Sequence, residues 1–172
     1  MDYTSALHHV LGLADSERMT DTPVKQPRYN LSRMIEFMHR LGDPQRGMRT
    51  VHVTGTKGKG STSAMIASML GSCGFTVGLY TSPHLHTMRE RIRINGEPLS
   101  QVEFAELVGQ VWPSVKDIAR SDVPERVTTF ETLTGMALAV FAEHKLDFQV
   151  LEVGKEAWTD LYACALFVGC SL

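Results

Sequence analysis

Cysteine is scarce in this 172-residue chain, with only Cys73, Cys164 and Cys170. An odd number with no framework spacing excludes a disulfide-stapled scaffold and fits a reducing compartment, and no zinc-ligand pattern is present. An excess of charge of one sign is also lacking. Lys and Arg number 17 and Asp and Glu 19, a formal net charge of -2. That balance removes the electrostatic argument for nucleic acid or an anionic membrane as partner. The opening Met1-Asp2-Tyr3 lacks the basic-then-apolar order of a signal peptide. The apolar run at residues 161–172 is too short to span a bilayer. There is no internal repeat and no low-complexity segment. The expectation is a soluble, cytoplasmic protein.

What is there is an ordinary globular mixture. Hydrophobic residues make up 43% and charged residues 21%, which suits one domain with its own core. Residues 3–13 read as a short helix with Leu7, Val10 and Leu11 on one face, and residues 15–29 as a loop holding Pro23 and Pro27. Leu31, Met34, Ile35, Met38 and Leu41 recur at helical spacing, with Gly42 as the stop. Residues 50–54 form a β-rich run followed at once by glycines. Met65, Ile66, Met69 and Leu70 mark a helix over residues 61–73, and residues 75–80 read as a second strand. The methionines Met34, Met38, Met65 and Met69 are expected in the core.

Further along, residues 91–94 alternate charged and apolar side chains before the turn pair Asn95-Gly96. Ser100 with Glu103, and Thr128 with Glu131, have capping-box spacing and should each open a helix. Pro113 should break or kink the first of these. Residues 148–153 form the third clear strand. Strands alternating with helices predict an α/β fold whose sheet is mostly parallel and flanked by helices.

The strongest chemical signal is the stretch Val51-His52-Val53-Thr54-Gly55-Thr56-Lys57-Gly58-Lys59-Gly60-Ser61-Thr62. It runs from a strand through a glycine-rich turn into a helix. Glycines permit left-handed backbone and close approach of a ligand. Successive N–H groups can then converge on one anion at the helix N-terminus. Lys59 is placed to reach outer phosphates. The strict phosphate-loop pattern fails twice, with Val53 where it has Gly and Gly60 where it has Ser or Thr. Phosphate binding is favoured over a solvated Gly/Lys loop because the stretch joins a strand to an amphipathic helix.

This loop resembles that of the folylpolyglutamate and dihydrofolate synthases, a family of the Mur ligase superfamily. The resemblance continues through Tyr80-Thr81-Ser82-Pro83-His84-Leu85 and Arg89-Glu90-Arg91-Ile92-Arg93-Ile94-Asn95-Gly96. It runs on through Thr128-Thr129-Phe130-Glu131 and Leu151-Glu152-Val153-Gly154, and covers about residues 29–154. It implies a P-loop-containing Mur-ligase-type ATP-binding domain. It also implies ATP and Mg²⁺ as cofactors, with Gly55, Thr56, Lys57, Gly58, Lys59, Gly60 and Ser61 against the phosphates. Ser82 and Glu152 would ligate Mg²⁺, and Thr128, Thr129, Phe130 and Glu131 would contact the pterin or folate. Lys59 and Glu152 would carry the catalytic charge.

The implied reaction is ATP-dependent addition of L-glutamate to a folate, or to dihydropteroate, through an acyl phosphate. The implied parent enzyme is monomeric. Read from residues alone, Ser82 is better explained as a turn serine before Pro83, a plain helix cap explains residues 128–131 nearly as well, and Arg89, Arg91 and Arg93 are either carboxylate attractors or a solvated face. His84 and His52 read as structural.

The resemblance stops at Lys155. A glycine-rich continuation with Asp-Ala-Thr-Asn is expected there, and the sequence instead has Lys155-Glu156-Ala157-Trp158-Thr159-Asp160. The expectation is that residues 1–154 are the N-terminal part of the ATP-binding domain and residues 155–172 a divergent tail. A C-terminal glutamate-ligase domain is then absent, and the chain is a truncated or frame-shifted form without ligase activity of its own. A non-catalytic nucleotide-binding fragment and a cell-wall Mur ligase are the competing readings. Gly60 and the Ser82-Pro83-His84 loop argue against the latter.

Overall fold

The computed structural model describes residues 1–13, 31–120 and 126–153. The loop expected at residues 15–29 and the tail at residues 155–172 lie outside the described residues. Chain order is α1 (Tyr3–Leu11), α2 (Leu31–Arg40), β1 (Arg49–Val53), α3 (Lys59–Ser72), β2 (Val77–Tyr80), a 3-10 turn (Met88–Arg91), β3 (Ile92–Ile94), β4 (Glu97–Pro98), α4 (Gln101–Ile118), α5 (Thr129–Glu143) and β5 (Phe148–Glu152). Among the described residues no helix is long and apolar enough to cross a membrane.

The five strands form one sheet in the order β1-β5-β2-β3-β4. β5 sits between β1 and β2 and is parallel to both, with Val53 opposite Glu152 and Tyr80 opposite Leu151. The α/β class and the parallel centre are as the sequence predicts. β3 and β4 add an antiparallel hairpin on the β2 edge. Its turn is the Asn95-Gly96 pair, with φ of 51° and 88°, the left-handed geometry that this pair favours. Asn95 also locks the hairpin to β2: its N–H donates to the Val77 carbonyl at 2.8 Å, and its Oδ1 accepts the Val77 N–H at 2.9 Å.

Most of the core lies between one face of the sheet and α1, α2, α4 and α5, and includes Phe37, Tyr80, Phe104, Leu133, Met136 and Phe141. A smaller cluster of Val53, Val77, Leu79 and Val150 lies under α3, with Ile66, Ala67 and Leu70 packed on it. The sheet-facing side of α3 is Ser63, Ile66, Ala67 and Leu70, so Met65 and Met69 point outward at 58% and 60% exposure. That corrects their expected place in the core, whereas Met34 and Met38 are buried as expected. On α2 the buried stripe is Met34, Phe37 and Met38, and Ile35 is exposed.

Both predicted capping boxes are present, at Ser100/Glu103 and Thr128/Glu131. α4 continues through Pro113 rather than stopping there. Pro113 lies on the exposed face, and so does Gly109, whose carbonyl loses its helical partner. Water can satisfy that carbonyl. The opposite face is anchored by Phe104, Leu107, Val108, Val111, Val115 and Ile118.

Two close fits generate predictions. A Cβ at Gly78 would sit 2.6 Å from the Phe141 ring. Gly78→Ala should therefore lower stability by about 1–3 kcal/mol, the usual cost of overpacking, as read by urea denaturation. Just before β2, the Asp147 carboxylate accepts the Thr76 N–H and hydroxyl, each at 2.8 Å. These bonds hold its carboxyl below the ordinary aspartate range. The resulting stabilisation is present above the unfolded-state pKa and lost as pH falls through the folded-state value. Asp147→Asn should be less stable than wild type at pH 7, with the gap closing at strongly acid pH.

Candidate functional site

β1, β5 and β2 are parallel, so their C-terminal ends share one edge of the sheet, where α/β folds bind ligands. β1 leads there into the glycine-rich loop, β5 ends there at Glu152, and β2 leads there to Ser82. Because β5 lies in the middle, Glu152 stands between the other two segments. The Val153 N–H donates to the Val53 carbonyl at 2.9 Å, which ties the end of β5 to the mouth of the loop.

The loop is open to solvent. Gly55, Thr56, Lys57, Gly58 and Ser61 are exposed, while Lys59 and Gly60 are half-buried. Gly58 is the N-cap of α3 at φ 76°, a left-handed conformation that a Cβ would strain. The first helical bond runs from the Thr62 N–H to the Gly58 carbonyl at 2.9 Å. The earlier N–H groups of Lys59, Gly60 and Ser61 have no helical acceptor and are available to an anion.

Glu152 is only 6% exposed. Its Oε2 accepts the backbone N–H of Ser82 at 3.1 Å. Among the described residues it has no ion-pair partner. A Cβ placed on Gly60 would lie 3.4 Å from Oε2 and 3.7 Å from Oε1. The missing side chain at position 60 therefore leaves room for this carboxylate. Gly60, Ser82 and Glu152 thus meet at one point, beside the N-terminus of α3, whose partial positive charge favours an anion.

This donor set suits Mg²⁺. A buried carboxylate with no cationic partner is costly unless something neutralises it. Mg²⁺ takes one or two protein oxygens and completes its shell with water and phosphate.

Thr128, Thr129, Phe130 and Glu131 lie on the opposite face of the sheet from α3, at the start of α5, each between 1% and 5% exposed. Their polar atoms are engaged within the protein. Glu131 accepts from Arg33 Nε at 3.1 Å to each oxygen and from Nη2 at 2.8 Å. It also accepts the Thr128 N–H at 2.8 Å and hydroxyl at 2.9 Å. The Thr129 hydroxyl donates to the Val10 carbonyl at 3.2 Å. The Phe130 ring lies 6.2 Å from that of Tyr80. The structure gives these residues a capping and packing role and does not present them as an open surface.

The arginines named as possible carboxylate attractors are also used internally. Arg89 Nη1 donates to the Leu99 carbonyl at 2.6 Å, Arg91 Nε to His84 Nδ1 at 3.0 Å, and Arg93 Nε to the Glu90 carbonyl at 3.2 Å. His84 thus has the structural place expected of it. His52 is half-buried in β1, and desolvation lowers its pKa.

Glu90 has a role that the sequence reading missed. Desolvation raises its pKa, but the amides of Thr87, His86 and Leu85 and the charge of His86 outweigh this and leave it lowered. The available signal was Thr87-x-x-Glu90, a third capping box.

The tight approach at position 60 has a measurable consequence. Gly60→Val would push branched methyl groups against Glu152. Its far-ultraviolet circular dichroism should match wild type, while Mg²⁺-dependent nucleotide affinity falls by about tenfold or more in calorimetry.

No family model matches the chain. Among curated proteins, the dihydrofolate synthase/folylpolyglutamate synthase of Bacillus subtilis is 46% identical over 125 residues, which is 72% of this chain and 29% of that protein. Among solved structures, the folylpolyglutamate synthetase from Lactobacillus casei superposes with a TM-score of 0.78 at 33% identity, covering 92% of this chain and 37% of that one. The Mycobacterium tuberculosis folylpolyglutamate synthase complexed with ADP superposes with a TM-score of 0.76 at 31% identity, covering 91% and 34%. The chain therefore spans about a third of the length of these relatives. On sequence and fold together, the chain belongs to the folylpolyglutamate synthase/dihydrofolate synthase family.

Proposed function

We propose that this chain holds the Mg-ATP of a ligase that joins L-glutamate to a folate, or to dihydropteroate. The observation that carries the proposal is Glu152, a buried carboxylate without a cationic partner among the described residues, set between Gly60 of the phosphate loop and the Ser82 amide.

In this reading the loop amides from Gly55 to Ser61, with Lys59, bind and orient the phosphate tail. Catalysis then rests on positioning and neutralisation of charge. Ser82 and Glu152 hold Mg²⁺, with Ser82 supplying the hydroxyl that Gly60 does not. Bound Mg-ATP supplies the phosphoryl group that activates the acceptor's carboxylate for attack by the glutamate amine. Thr128, Thr129, Phe130 and Glu131 are proposed to support the acceptor side. Their burial makes positioning the more direct role and leaves Glu131 committed to Arg33.

Residues 1–154 are proposed as part of the ATP-binding domain, and the glutamate-ligase domain as part of the remaining length seen in the relatives. A monomeric, cytoplasmic enzyme is the proposed context.

The test is calorimetric titration of the chain with ATP in Mg²⁺. Wild type should bind, and Lys59→Ala should lose about ten- to a hundredfold in affinity, the worth of a charge-assisted hydrogen bond. Absence of binding by wild type overturns the proposal. The reaction itself is tested by transfer of labelled glutamate to a folate, using a polypeptide that joins this chain to the remaining length of its relatives. Transfer should require Mg-ATP and fail in Lys59→Ala.

A further inference from the structure

Residues 82–87 join β2 to the 3-10 turn and include the proposed Mg²⁺ ligand Ser82. The segment is largely exposed, and Leu85 reaches 87% exposure. It makes no strand pairing, yet its backbone is held. Glu90 Oε1 accepts the Thr87 N–H at 2.9 Å, and Oε2 accepts the N–H groups of Leu85 at 3.2 Å and His86 at 3.3 Å.

The next residue secures the other half of the segment. Arg91 Nε donates to His84 Nδ1 at 3.0 Å, and the Arg91 carbonyl accepts the Thr81 N–H at 2.9 Å. Arg91 is itself buried, at 4% exposure. Adjacent residues 90 and 91 thus fix both ends of the segment, while Ser82 donates its own N–H to Glu152.

We infer that Glu90 is a positioning residue for the cation site: its carboxylate gathers the amides of residues 85–87 and so holds Ser82 against Glu152 before any ligand arrives. This rests on the Mg-ATP reading above. The physical reason is entropic. Ordering backbone costs conformational entropy, so a loop already ordered spares that cost when the ion binds. Charge-assisted acceptance by a carboxylate is the stronger kind of hydrogen bond for this purpose. Among the described residues the Glu90 carboxylate bonds to residues 85–87 and not to Glu152 or the phosphate loop, so its effect should fall on Mg²⁺ and not on the nucleotide alone.

The experiment compares wild type, Glu90→Gln and Glu90→Ala in the full 172-residue chain. ATP affinity is measured by calorimetry with Mg²⁺ and with EDTA, and amide hydrogen exchange is followed at residues 85–87. In Glu90→Ala the amides of Leu85, His86 and Thr87 should lose protection. The gain in affinity from Mg²⁺ should shrink by about fivefold or more, with affinity in EDTA unchanged. Glu90→Gln keeps one acceptor oxygen and should recover part of both effects.

An unchanged Mg²⁺ gain in Glu90→Ala overturns the inference while leaving the Mg-ATP reading intact. An equal loss with Mg²⁺ and with EDTA overturns it too, because that marks general damage and not positioning. Failure of wild type to bind ATP overturns both.

Discussion

The site depends on one carboxylate placed where a carboxylate is costly. Glu152 ends the central strand of the parallel part of the sheet and is almost fully buried, with one backbone amide as its hydrogen-bond donor. A charge in such a place needs a counter-charge. The surroundings supply partial ones, in the N-terminus of α3 and the Ser82 amide. They leave space for a full one. The other unusual features of the site follow from this. Gly60 faces the carboxylate, and a Cβ there would come into contact with it at 3.4 Å. β2, paired to β5, brings the Ser82 amide to the same carboxylate.

The two faces of the sheet divide the work. The face under α3 carries a smaller cluster and the phosphate loop, with Ile66, Ala67 and Leu70 packed toward the strands. The other face carries most of the core and the buried Arg33–Glu131 pair, both members at 1% exposure or less. Removing one member of a buried pair strands the other charge, so such a pair enforces one arrangement of its elements more than it adds stability. Here it fixes α2 against the start of α5. The proposed acceptor side is therefore built on the rigid part of the molecule and the nucleotide side on its open edge.

Hydrogen bonding by acidic side chains to backbone amides recurs as a local device. Glu103 and Glu131 close the boxes that open α4 and α5, and Glu90 closes a third in a stretch too short for an α-helix. In each, a carboxylate satisfies N–H groups that no repeating structure would satisfy. At residues 85–87 this substitutes for sheet pairing, which is how an exposed connection holds a defined shape.

Much of this was legible in the chain itself. Capping boxes, the Asn95-Gly96 turn and the strand–glycine–helix order of residues 51–62 depend on neighbours within a few positions, so local pattern reports them well. The class of fold follows from the alternation of such elements. Other features depended on long-range contact. Met65 and Met69 have core chemistry, yet they point outward because Ser63, Ile66, Ala67 and Leu70 form the side of α3 that faces the sheet. Arg91 and Glu131 have surface chemistry, yet they are buried because His84 and Arg33 receive them there. The meeting of Gly60, Ser82 and Glu152 likewise belongs to no segment. It arises because β5, the last of the described strands, inserts between β1 and β2. Sequence determines which groups can bind phosphate and metal, since that is a property of residue type and local backbone. Only strand order decides that they face one another, since that is a property of the sheet as a whole.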